Sequence, residues 1–211
     1  KAAAAIANAR VGALDVHLAE AIASAAGAVA AGRHDGAFPV PVFQTGSGTS
    51  SNMNMNEVLA RLASTAAGQP VHPNDHVNCS QSSNDVVPSA IALAAACELR
   101  NILGPAISAL EDALRGRAGE LESVVKTGRT HLMDAMPVTL GFELRTWLAQ
   151  LQDCRARLSD LQPRLCALPL GGSAVGTGVN VPRGYVDAAL KDLSQRVGFA
   201  VFAAEPPSTR M

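Results

Sequence analysis

The spacing of apolar positions along the chain predicts a mainly α-helical protein. Residues 1 to 31 are alanine-rich, with Ile6, Leu14, Leu18 and Ile22 as the larger apolar positions. They read as one helix, stopped by Gly32. Pro39 and Pro41 force extended backbone in a loop over 33 to 43. From Met53 a helical pattern runs through Val58, Leu59 and Leu62 to about Ala67, and a polar loop fills 68 to 83. A long helix is predicted from near Asn84 to about Leu114, with Ile91, Ala95, Ile102, Ala106 and Leu110 on one stripe. Pro88 is tolerated only near its first turn, and Pro105 should kink it. Gly128 to Pro137 reads as a short ordered loop or strand. The next helix, about Thr139 to Leu168, repeats apolar residues in alternating steps of four and three, as in Leu140, Leu144, Trp147 and Leu151. Such a heptad seam asks for long helices packed side by side, and Pro163 should bend it. A glycine-rich loop over 169 to 182, a shorter helix to about Val197 and a frayed tail with Pro206 and Pro207 complete the chain. The boundary is expected near residue 83, between a small N-terminal domain at 1–82 and a helical domain at 83–211.

Composition changes this picture little. Apolar residues make up 48% but aromatic residues only 3%, so alanine and leucine must supply the packing, which favours helices. A net charge of −1 gives no pull towards nucleic acid or an anionic membrane. The longest apolar runs look too short and too interrupted to span a bilayer. No signal peptide is visible, although a start at Lys1 leaves room for a removed leader. Cysteines 79, 97, 154 and 166 have neither zinc-ligand nor CxxC spacing, which fits a reduced, cytoplasmic setting. They read as small buried apolar side chains; Cys79 stands apart because it lies in a polar motif.

That motif is one of three hydrogen-bonding stretches. Residues 44 to 57, QTGSGTSSNMNMNE, place short hydroxyl and amide side chains around Gly46 and Gly48 at a helix start. Glycines allow close backbone approach, and a helix N-terminus favours negative charge, so a small carboxylate suits the loop. An N-cap with a flexible turn would produce the same composition. Residues 69 to 88, QPVHPNDHVNCSQSSNDVVP, end on Ser82, Ser83 and Asn84 at the start of the long helix. They form a second carboxylate cradle, or an ordinary N-cap, and one residue can do both. Residues 128 to 141, GRTHLMDAMPVTLG, carry Thr130 and His131. A neutral imidazole can accept or return a proton at working pH; a loop histidine that only makes structural bonds is the plainer reading. His72, Asp75 and His76 have spacing that could suggest a metal, but a third strong ligand is not evident.

Together these stretches resemble the fumarase/aspartase superfamily, most closely the class II fumarate hydratases. That family reads close to GSGT-x-SNMN-x-NE, HPNDHVN-x-SQSSND and GRTHL-x-DA-x-P-x-TLG. A fourth match is LPLGGSAVGTGVN at 168 to 180, and the resemblance spans about Lys1 to Met211. It implies that Ser47, Gly48, Thr49, Asn52, Ser82, Ser83, Asn84 and Thr130 bind a dicarboxylate, fumarate or L-malate. It implies that His131 activates or positions the water. His72, Pro73, Asn74 and Asp75 match the family's secondary anion site. It further implies a homotetramer, no metal or organic cofactor, and reversible hydration of fumarate, a step of the tricarboxylic acid cycle. Aspartases usually carry glutamine in place of His131 and STND in place of SSND, so both features favour a hydratase.

Departures are also present. The family usually has a cation at position 79, tryptophan at 43 and glutamine at 142; this chain has Cys79, Phe43 and Phe142. The family's GSSxMPxKxN loop, which supplies a serine base, does not occur in these 211 residues. The chain therefore reads as an incomplete part of the catalytic region and is expected to be inactive alone. A sister fumarate-releasing lyase, or a non-catalytic helical assembly module that keeps the loops without a base, are the other readings.

Overall fold

The computed structural model describes residues 1–211 and is mainly α-helical. The chain forms two compact units, one of Lys1–Leu93 with Cys166–Met211 and one of Ala94–Leu165.

The first unit begins with α1 (Ala2–Arg10) and α2 (Val16–Ala30), not with the single helix expected over 1 to 31. The break has a local cause. Gly12 takes φ +74°, and the Asp15 carboxylate caps the new helix by accepting from the His17 and Leu18 N–H groups. Alanine periodicity alone carries no mark of such a stop. α3 (Thr49–Ala67) starts four residues before the expected Met53. Leu14, Leu18 and Ile22 pack with Leu59, Ala63, Val71 and Val77 in one buried cluster. The first part of α4 (Ser83–Glu98) follows.

After the second unit, β3 (Ala167–Leu168) pairs in parallel with β4 (Phe202–Ala203), and α7 (Tyr185–Val197) lies between them in sequence. The tail is not frayed. Pro207 and Ser208 form a 3-10 turn that packs against Gly172 and Gly176 of the glycine-rich loop. Proline content suggested fraying, but two fixed φ angles also lower the entropy lost on docking.

In the second unit, residues Leu99–Leu103 widen into a π-helical turn before α5 (Gly104–Glu120). Pro105 lacks an N–H and crowds the preceding turn, and the wider turn accommodates it. The helix continues six residues past the expected Leu114. β1 (Val125–Thr130) and β2 (Met133–Thr139) form an antiparallel hairpin, and α6 (Leu140–Leu165) packs on α5. Arg155 of α6 pairs at 2.8 Å with Glu111 of α5, whose side chain is buried.

The expectation about membrane-length runs needs correcting. Ser83–Glu120 continues as one 38-residue helical rod whose most apolar window has mean hydropathy 1.5, enough by length and composition for a spanning helix. The π-helical turn carries the rod past Pro105, where a kink was expected. Only 11% of that window is buried, and Ile91, Ile102 and Leu110 are exposed. Trp147 and Leu161 of the α6 seam are likewise open.

Candidate active site

The polar loop before α3 is built around Gly48, which takes φ +67° as the N-cap of α3. A Cβ there would sit 2.7 Å from Cγ1 of Val87 on α4. Glycine therefore permits both the left-handed turn and the approach to α4. That approach brings Ser47 beside the second cradle. Ser47 Oγ also lies 3.3 Å from Thr45 Oγ1 and 3.2 Å from Thr49 Oγ1, a short row of hydroxyls.

The second cradle is a capping box at the start of α4. Ser82 Oγ accepts from the Asn84 N–H at 3.2 Å, and Asp85 Oδ1 accepts from the Ser82 N–H at 2.9 Å. Ser82 thus caps α4 and does not line the adjacent cavity. Ser83 and Asn84 instead line a cavity of about 500 Å³ with Gly46 and Ser47. Val87, Pro88, Ile91 and Val175 give it an apolar side, and Ser208 of the tail completes it. Asn84 Nδ2 also donates to the Ala174 carbonyl at 2.8 Å, fixing the glycine-rich loop as a wall. No lysine or arginine lines this cavity, so hydroxyls, an amide and the α4 N-terminus provide the positive potential.

Pro88 is the sixth residue of α4 and does not lie in its first turn. It removes the donor that would have reached the Asn84 carbonyl. The helix start near residue 84 is nevertheless where the sequence placed it.

Near these loops lie two fully buried ionisable groups, Asp85 and Tyr185, and the half-buried Lys1. Asp85 is fully buried; its Oδ2 accepts from the Gly171 and Ser173 N–H groups, both at 3.0 Å. Burial pushes its pKa up, and the N–H donors of Ser82, Ser173 and Gly171 oppose that shift. Burial lowers the Lys1 ammonium to about 7, against the attraction of Asp85. Tyr185, also fully buried, is pushed above its ordinary range by burial and then by the Asp85 charge.

Asn52 does not line the cavity. It is buried and donates to Ser83 Oγ at 2.9 Å. In the anion motif, His72 Nδ1 accepts from the Asp75 N–H at 3.1 Å and lies 3.2 Å from Asp75 Oδ2. His76 Nδ1 accepts from the His72 N–H at 2.9 Å. Both rings have one nitrogen engaged within the loop, in a π-helical turn over Pro73–Val77.

Thr130 and His131 belong to the second unit and are exposed. Thr130 ends β1 opposite Met133, so His131 and Leu132 alone form the hairpin turn. Their φ angles are +49° and +62°, as a two-residue type I′ turn requires. Histidine has a several-fold enrichment in this region relative to most side chains, but a branched or bulky residue such as Leu132 is strained there. Sequence reasoning missed the turn because neither position carries Asn or Gly. It also missed Ser208, hidden in a tail read as frayed.

A family model described as "lyase" matches residues 1–210. The class II fumarate hydratase of Xylella fastidiosa is 54% identical over 198 residues, covering 94% of this chain and 42% of that protein. The Ralstonia nicotianae class II fumarate hydratase is 48% identical over 204 residues, 94% of this chain and 44% of that protein. The crystal structure of class II fumarase from Schistosoma mansoni superimposes with a TM-score of 0.89 at 40% identity, covering 93% of this chain and 42% of that one. The chain thus spans less than half the length of these relatives.

Proposed function

The chain belongs to the lyase family, and from that membership we propose that it is the carboxylate-gripping part of a fumarate hydratase. The observation that carries this reading is the shared cavity of Ser47, Ser83 and Asn84, which come from two separate motifs. Its hydroxyl and amide donors suit one carboxylate of fumarate or L-malate, and its apolar side strengthens each bond by lowering the local dielectric. Gly48, Thr49, Asn52 and Ser82 support this grip, and Thr130 grips the substrate from its own loop. A base outside these 211 residues removes a proton from C3 of malate. The electron pair spreads into the adjacent carboxylate, where the donors stabilise it, and His131 assists the departing hydroxyl as water. His72, Pro73, Asn74 and Asp75 serve as a secondary anion site.

The exposed apolar residues of the Ser83–Glu120 rod and of α6 support a homotetramer in which such helices cover one another. The four free cysteines suit a reducing cytoplasm.

The full-length protein, purified and supplied with fumarate, is expected to form L-malate without added metal and to run as a tetramer by light scattering. Faster release of ammonia from aspartate than of water from malate would reassign it to the aspartase branch. Absence of both activities would favour the non-catalytic module. The 211-residue polypeptide should show no measurable turnover, because loss of one cooperating catalytic group costs several powers of ten.

A further inference from the structure

We infer that Asn78 is a positioning residue for carboxylate binding: through Asn52 it sets the direction in which the Ser83 hydroxyl gives its proton. The inference rests on Ser83 being a carboxylate donor, as proposed above.

Asn78 Nδ2 faces the Gln81 backbone carbonyl at 3.3 Å. A carbonyl oxygen only accepts, so the amide cannot be turned the other way without setting two oxygens against each other. Asn78 Oδ1 must then face inward. There it accepts from Lys1 Nζ at 2.8 Å, Asn56 Nδ2 at 3.1 Å and Asn52 Nδ2 at 3.4 Å. Asn52 therefore presents its NH2 group, and its shorter bond, at 2.9 Å, goes to Ser83 Oγ.

A serine hydroxyl has one proton to give and two lone pairs. With Asn52 donating to it, Ser83 has its proton free for another acceptor, and Ser83 lines the cavity. The reversed arrangement is a real competitor. Asn52 Oδ1 is buried without a hydrogen-bond partner. Rotating the Asn52 amide would satisfy that oxygen with the Ser83 proton and leave a hydroxyl lone pair facing the substrate carboxylate. Asn78 Oδ1 prevents the rotation, because an Asn52 oxygen there would meet another oxygen. The orphaned Asn52 Oδ1 is the cost of holding Ser83 in its donating sense.

The test uses the full-length protein and steady-state kinetics with fumarate. Asn78→Leu should raise KM about 10- to 100-fold, the worth of one hydrogen bond to a charged group. Asn78→Asp keeps the inward oxygen but sets its second oxygen against the Gln81 carbonyl, so it should recover only part of that loss. In a Ser83→Ala background, Asn78→Leu should raise KM no further, because its effect passes through the missing hydroxyl. Equal KM increases in both backgrounds would make Asn78 merely structural and overturn the relay. If Ser83→Ala itself left KM unchanged, the assignment of Ser83 as a donor would fail, a separate result. Should Asn78→Leu not fold, position 52 carries the test. Asn52→Asp puts an acceptor against Ser83 and should raise KM beyond Asn52→Leu; equal values would overturn the relay.

Discussion

If the proposed hydratase reading holds, His131→Asn in the full-length protein is expected to lower kcat for malate dehydration by roughly 10²- to 10⁴-fold, the usual worth of one acid–base group, and to leave KM within a few-fold. The position makes this substitution clean. His131 is the first residue of a two-residue turn with φ +49°, and Leu132 follows at +62°. Asparagine is among the side chains that best tolerate this conformation and is preferred in type I′ turns. The variant should therefore keep the hairpin, its register and the placement of Thr130. It removes only the ring that can take up or return a proton. The cavity formed by Ser47, Ser83 and Asn84 lies within the other unit and contains no atom of the hairpin. Loss of an interaction used only in the transition state reduces kcat and kcat/KM equally. Steady-state rates across pH provide the measurement. A near-normal kcat with a sharply raised KM would make His131 a binding residue.

The legibility of the molecule followed the range of its interactions. The end of α3 at Ala67 and the start of α4 near Asn84 are local events and both were readable, although the cap falls on Ser82 and the stop on a left-handed Gly68 that the sequence did not single out. The α1–α2 break was not, because one glycine and one aspartate interrupt a run of alanines without disturbing its period. The heptad seam of α6 correctly announced a long helix. Trp147, Cys154 and Leu161 of that seam remain exposed, so part of its periodicity described a surface available to other helices. The three motifs identified polar side chains but not their division of labour. Composition cannot distinguish a serine that caps, such as Ser82, from its neighbour Ser83, which lines the cavity. Asn52 and Asn78 act through bonds to residues 26 to 31 positions apart, which only the folded chain brings together.

Asp85→Ala is expected to destabilise the 211-residue chain by roughly 3 to 5 kcal/mol, two or three orphaned donors at about 1 to 3 kcal/mol each, less some relaxation. The carboxylate is fully buried and accepts from three backbone N–H groups, those of Ser82, Gly171 and Ser173. Two of these lie in a loop held in unusual backbone. Gly171 takes φ +92°, and a Cβ there would sit 2.3 Å from Val186 Cγ2; Ser173 takes φ +53°. A non-glycine residue in that region costs about 1 to 2 kcal/mol, which the loop tolerates while Asp85 binds its donors. Without the carboxylate, Ser173 has reason to leave that conformation. The Asn84–Ala174 bond and the adjacent cavity wall should loosen with it. Urea unfolding gives the free energy, and limited proteolysis should show new cleavage between 171 and 178. A loss under about 1 kcal/mol, with cleavage unchanged, would mean that water takes over the three donors and that the loop holds its shape without Asp85.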